Sequence, residues 1–211
     1  RKTKLLMKKM YEPWDCDKIF VNSRTAEMIK YVNNSLLATQ ISTVNEYSNI
    51  SHKIGNIDFK SVMNAVHLDS RWSPILPNGD RIDPKIIDYL IPGPGFGGSC
   101  FPKDIKALSY LAKSINVKSK ILDSVIEVNK DQPKQVIKRL KQITSNLKQK
   151  KILLLGLSFK PGTDDIRDSV SLKLIKLLVR ESALVYATDP ISIDKVKFFC
   201  NELEINFVED W

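Results

Sequence analysis

Lys151-Ile-Leu-Leu-Leu-Gly156 is the stretch from which the fold can be read. A short, wholly apolar run after a charged segment is the pattern of a parallel strand buried on both faces. The loop Leu157 to Asp168 follows, and Ser169 to about Ser182 then predicts a helix. Ala183 to Thr188 predicts a second strand, stopped by Asp189-Pro190. Strand, helix and strand in succession make a right-handed βαβ unit. Further on, Phe198 to Leu203 reads as helix and Ile205 to Val208 as a third strand. This end of the chain is expected to be an open parallel sheet, still incomplete at Trp211.

Upstream the pattern changes. From Ser23 to about Ile54 there is neither Pro nor Gly, Ser23 or Thr25 can cap, and Gly55 closes. One long helix is predicted, of a length that suits a helical core or an oligomer interface. A shorter helix over Asp58 to Val66 follows, then a loop from Leu68 to Asp83 and one or two helical turns within Ile82 to Tyr89. Ile105 to Ser114 reads as a helix capped by Asp104, and Ile121 to Asn146 as another, with a break near Pro133. The fold class is therefore α/β. A polar connector over 1–22 leads to a mainly helical domain over 23–149 and a parallel-sheet domain over 150–211.

Composition narrows the classes. Of 211 residues, 43% are hydrophobic and 27% charged, so the chain packs a core and is not disordered. It contains no apolar run of roughly 18 residues, so no membrane partner is expected. The basic stretch Arg1 to Lys9 lacks the apolar core of a signal peptide. Three cysteines without a C-x-x-C exclude a disulfide framework and a zinc knuckle, and point to a reducing, cytoplasmic setting. No metal is expected. The net charge of +9 comes from lysines scattered among acids, so a nucleic-acid partner is not expected. A solvated basic face or a small phosphorylated ligand explains it.

Cys100 carries the strongest chemical signal. It sits between Gly97-Gly98-Ser99 and Phe101-Pro102-Lys103-Asp104, where a loop becomes a helix. A helix N-terminus and a nearby lysine both favour thiolate. Taken alone the cysteine could be structural; Lys103 and Asp104 tilt the reading towards a nucleophile. Cys16 and Cys200 have no such neighbours. Lys30 and Asn34 are four apart on the long helix and share one face, with Asn45 close to it. They are either oxyanion donors or an exposed polar stripe. In the loop Gly156-Leu-Ser-Phe-Lys-Pro-Gly-Thr-Asp-Asp-Ile-Arg167, the glycine spacing fits neither G-x-G-x-x-G nor a P-loop. Lys160 and Arg167 there are candidates for phosphate contact, since ligands bind at this end of such sheets.

Three blocks in order resemble the UDP-glucose/GDP-mannose dehydrogenase family. They are Thr25-Ala-Glu-Met-Ile-Lys-Tyr-Val-Asn-Asn34 through Asn45-Glu46, then Gly95-Phe-Gly-Gly-Ser-Cys-Phe-Pro-Lys-Asp104, then Gly156 to Arg167. The resemblance implies oxidation of a nucleotide sugar's C6 alcohol to a carboxylate with NAD. UDP-glucose is the expected substrate, GDP-mannose the alternative, and a non-catalytic dimerising fragment that binds nucleotide sugar a third reading. It implies that Cys100 forms a thiohemiacetal and then a thioester, that Lys30 and Asn34 stabilise oxyanions, and that Asp104 assists as base. It places Lys30, Arg71, Tyr89, Leu90, Ile91, Pro92, Gly93, Gly97 and Lys160 at the sugar nucleotide, and Lys103 and Arg167 at NAD. A Rossmann-like sheet and a homodimer through the long helix are also implied. The family's N-terminal domain with G-x-G-x-x-G is not among these residues, so the chain alone is expected to be inactive. The stretch from Arg71 to Gly93 is longer than the family pattern leads one to expect.

Overall fold

A computed structural model describes residues 2–209; Arg1 and Trp211, both named above, lie outside them. The long helix is α2, Ser23–Ile54, and its 32 residues span about 48 Å at 1.5 Å per residue. Its cap is Asn22, not Ser23 or Thr25: the Asn22 side chain accepts from Thr25 N–H at 2.9 Å. Gly55 closes it at φ +83°, as expected. Before it lies α1, Lys2–Met10, a helix where the sequence reading had only connector. Its lysines, leucines and methionines favour helix. None of its residues is buried, and Lys4 and Lys8 lie over the Phe20 ring.

Asp58 caps α3, Phe59–His67. A 3-10 helix follows at Lys85–Leu90. The next helix, α4, runs Phe101–Ser114 and so starts a turn earlier than expected, with Cys100 at the N-cap position. Pro102 is tolerated there because first-turn N–H groups have no helical partner anyway. Asp104 is thus inside the helix rather than capping it. The last long helix, α5, runs unbroken from Lys120 to Thr144 with Pro133 in its interior. Helices α2, α4 and α5 pack around Ala38, Ile105, Val125 and Phe96. Val44, Met63 and Leu90 form a smaller cluster.

The sheet is parallel, in the order β1-β2-β3: β1 Lys151–Leu155, β2 Leu184–Thr188 and β3 Ile205–Phe207. Lys151 pairs with Leu184, and Val185 pairs with Ile205. Between the strands lie α6, Val170–Arg180, and α7, Ile193–Phe199. The helix expected at Phe198 to Leu203 therefore lies earlier, where Val196 can reach the core. One expectation fails clearly. β1 is not buried on both faces, for Leu153 is 47% and Leu155 61% exposed. Ile152 and Leu154 point the other way, into a core with Ile175 and Leu178 of α6 and Val196 of α7. Burying one such aliphatic side chain stabilises by about 1.5–3 kcal/mol. Ile137 and Leu140 of α5 enter the same core, which ties the helical region to the sheet.

Candidate active site

Because Cys100 opens α4, Asp104 sits one turn into it, and its N–H donates to the Cys100 carbonyl at 2.9 Å. The Asp104 carboxylate is fully buried and faces α2. Lys30 Nζ and Asn34 Nδ2 each donate to its Oδ2 at 2.6 Å, and Lys103 Nζ donates to Oδ1. The shared face of Lys30 and Asn34 is thus directed at the cysteine helix. Burial raises the Asp104 pKa, but the hydrogen bonds from Lys103, Lys30 and Asn34 outweigh it and lower it to about 2. So acidic a group is a weak base at neutral pH. Asp104 gathers both lysines and Asn34 at the first turn of the helix that Cys100 opens.

The cysteine itself is exposed, with Ser99 Oγ 3.9 Å from its Sγ. Lys103 and Arg167 both lie near enough for Cys100 to favour their charged forms, after the larger effects of Asp104 and Asp165 respectively. Arg167 belongs to the loop after β1, and that loop meets the cysteine loop closely. Gly98 N–H donates to the Arg167 carbonyl at 3.0 Å. A Cβ on Gly97 would sit 2.3 Å from the Asp168 carbonyl oxygen, and one on Gly98 would sit 2.6 Å from the Phe159 ring. These glycines let two backbones touch. Lys160 lies exposed over the ring of Phe159, at the edge of the same junction.

Other expected residues are distributed less evenly. Tyr89 approaches the site through Phe101, their ring centroids 6.4 Å apart. Leu90 is 3% exposed and packs with Val44 and Met63, so its side chain cannot line a ligand site. Ile91 is exposed, and Pro92 and Gly93 are half-buried. Arg71 is not drawn into the cluster. It stands in the turn after α3, its guanidinium bound to Asp69 at 2.5 and 2.9 Å.

Three positions that hold the loops around the site escaped the sequence reading. Asn129 and Gln132 on α5 hold the glycine loop, with Asn45 opposite on α2. Asp189 is the third: its buried carboxylate accepts from the N–H groups of Leu157, Ser158, Ile191 and Ser192. Burial opposes ionisation, yet those N–H groups hold its pKa down to about 2. The Asp189-Pro190 pair was read only as a strand stop; an Asp there is also a common turn-former that binds following N–H groups.

The central-domain model of the UDP-glucose/GDP-mannose dehydrogenase family matches residues 24–131, and its UDP binding domain model matches 153–211. The chain belongs to the UDP-glucose/GDP-mannose dehydrogenase family. It is 36% identical over 199 residues to the UDP-glucose 6-dehydrogenase of Rickettsia conorii, covering 93% of this chain and 43% of that protein. With UDP-glucose 6-dehydrogenase TuaD of Bacillus subtilis it shares 37% over 201 residues, covering 95% and 41%. Among solved structures, the UDP-glucose dehydrogenase of Pyrobaculum islandicum superposes with a TM-score of 0.86 at 32% identity, covering 99% of this chain and 45% of that one. The UDP-D-ManNAc dehydrogenase of Pyrococcus horikoshii gives 0.69 at 26%, covering 93% and 45%. The chain therefore spans less than half the length of these relatives. Among the described residues, no helix is long and apolar enough to cross a membrane.

Proposed function

We propose that these residues are the substrate-oxidising part of a UDP-glucose 6-dehydrogenase, which converts the C6 alcohol of the nucleotide sugar to a carboxylate. The observation that carries this reading is the convergence of Cys100, Lys30, Asn34, Lys103 and Asp104 at the start of α4. Lys103 and Arg167, two cations beside Cys100, fit the phosphates of NAD and would hold that edge of it. When bound, NAD supplies the hydride acceptor for both two-electron oxidations.

The chain's own residues then do the rest. Cys100 Sγ adds to the C6 aldehyde, forming a C–S bond and a thiohemiacetal. Lys30 and Asn34 keep further N–H groups beyond those given to Asp104, and these donate to the oxygen that gains charge. Loss of hydride and proton leaves a thioester at Cys100. Water attacks the thioester carbon, the C–S bond breaks, and the thiolate returns with release of the carboxylate. Asp104, kept ionised, holds the two donors in place throughout. Lys160 and the backbone of 89–93 and Gly97 form the sugar-nucleotide wall. On the outer face of α2, Ile29, Leu36, Tyr47, Ile50 and Ile54 are exposed at helical spacing, which supports a homodimer through this helix.

UDP-glucose should give binding heat with this chain and slow alkylation of Cys100, whereas GDP-mannose should do neither. Protection by GDP-mannose alone would move the assignment to the mannose branch. In a protein that joins these residues to the family's dinucleotide-binding part, Cys100→Ser should abolish acid formation while sugar-nucleotide binding survives. Unchanged turnover there would sink the cysteine mechanism.

A further inference from the structure

Between Pro92 and Cys100 the chain has no regular structure, so its backbone polar groups need partners from elsewhere. Amide side chains on two helices provide them. Gly93 N–H donates to Asn45 Oδ1 on α2 at 2.8 Å, and the Gly93 carbonyl accepts from Gln132 Nε2 on α5 at 2.8 Å. Phe96 is held by one residue from both sides: its N–H donates to Asn129 Oδ1 at 2.8 Å and its carbonyl accepts from Asn129 Nδ2 at 3.0 Å. The holders are themselves braced. Asn49 Nδ2 donates to Gln132 Oε1, and Arg139 donates to Asn49 Oδ1, each at 2.9 Å.

Two further features fit this clamp. Gly95 lies at φ +106°, and a Cβ on it would sit 2.8 Å from Asn129 Oδ1. Pro133, buried in an otherwise unbroken α5, removes the N–H that would bond the Asn129 carbonyl in a regular helix. The helix gives up a backbone bond at the very residue that grips the loop, and the loop is glycine where that residue must come close.

We propose that Asn129 and Gln132, together with Asn45, are positioning residues for Cys100. They fix residues 93–96, so that Gly97 and Gly98 seat against the loop after β1 and the thiol stands beside Lys103 and Arg167. The inference rests on the reading of Cys100 as the nucleophile but not on the identity of the sugar.

The test is iodoacetamide alkylation of this chain without sugar nucleotide, with Cys16 as the internal reference. Asn129→Leu should lower the Cys100 rate relative to Cys16 by about tenfold, because a sulfur no longer seated beside Lys103 and Arg167 loses two cations that favour its attack. Asn129→Asp keeps the acceptor for Phe96 N–H and loses the donor, so its rate should fall between the two. Gly95→Ala should reproduce the loss from the loop side, and it serves as the second route if Asn129→Leu does not fold. Equal Cys100 rates in parent and variants would overturn the proposal, as would a change shared by Cys16. A failed UDP-glucose titration would leave this result standing, and the reverse also holds.

Discussion

Asp104 and Asp189 are both buried and both held at a pKa of about 2, yet their donors differ in kind. Asp189 is bound by backbone N–H groups from two loops at the carboxyl ends of β1 and β2. Those donors cannot leave without unmaking the loops. Asp104 is bound by side chains, and the two lysines are 60% and 64% exposed. They can turn to water or to a ligand while the fold persists. A carboxylate held by backbone is part of the frame; one held by long side chains leaves those side chains able to serve the proposed chemistry.

The sharpest way to break this comparison is Asp189→Asn. An amide accepts at one oxygen only and turns a donor towards the remaining N–H groups, in a site where Asp189 is 7% exposed. We expect a loss of about 3 kcal/mol in urea unfolding, since each orphaned buried group costs about 1–3 kcal/mol. A loss below that of Asp104→Asn would invert the assignment of roles. The same carboxylate predicts an acid limb. Its folded pKa of about 2 lies below the ordinary unfolded value near 3.9. The stability it contributes is therefore complete above pH of about 4 and lost as pH falls towards 2, a difference of about 2 kcal/mol. In Asp189→Asn that part of the acid limb should vanish.

Gly97→Ala probes the seam between the two regions. The new methyl would meet the Asp168 carbonyl at 2.3 Å, which is backbone and cannot swing aside. A loss of about 2 kcal/mol follows from overpacking of this kind. Gly55→Ala is the control: φ +83° strains it, but nothing lies within 4 Å, so about 1 kcal/mol is expected. Equal losses in denaturant melts would mean that the loops are not pressed together at Gly97.

Much of this frame is visible in the sequence and some is not, for physical reasons. The βαβ order, the extent of α2 and the common face of Lys30 and Asn34 follow from periodicity and Gly55, which are local. What covers a strand is not local: Leu153 and Leu155 read like Ile152 and Leu154, though only the latter meet α6. Phe101-Pro102 reads as loop, which hides that Asp104 points into α2 rather than out over a helix end. The Asn129 and Gln132 clamps join residues 33 and 39 positions apart, and no spacing rule links them. A polar pair at i, i+3 on a helix just before an interior proline was the available hint.

Asp104→Asn should cost no more stability than the Gly55→Ala control, although it strikes the centre of the proposed chemistry. The asparagine oxygen can still accept from Asn34, and the lysines gain water in exchange for the lost charge. About 1 kcal/mol is expected in urea, because exposed partners of an ion pair contribute little net stability. Lys30 and Lys103, however, lose the anion that fixes them beside Cys100. UDP-glucose should therefore protect Cys100 from alkylation less well in Asp104→Asn than in the parent, at nearly parental stability. If protection holds while stability collapses, Asp104 belongs to the frame with Asp189, and the contrast between the two carboxylates disappears.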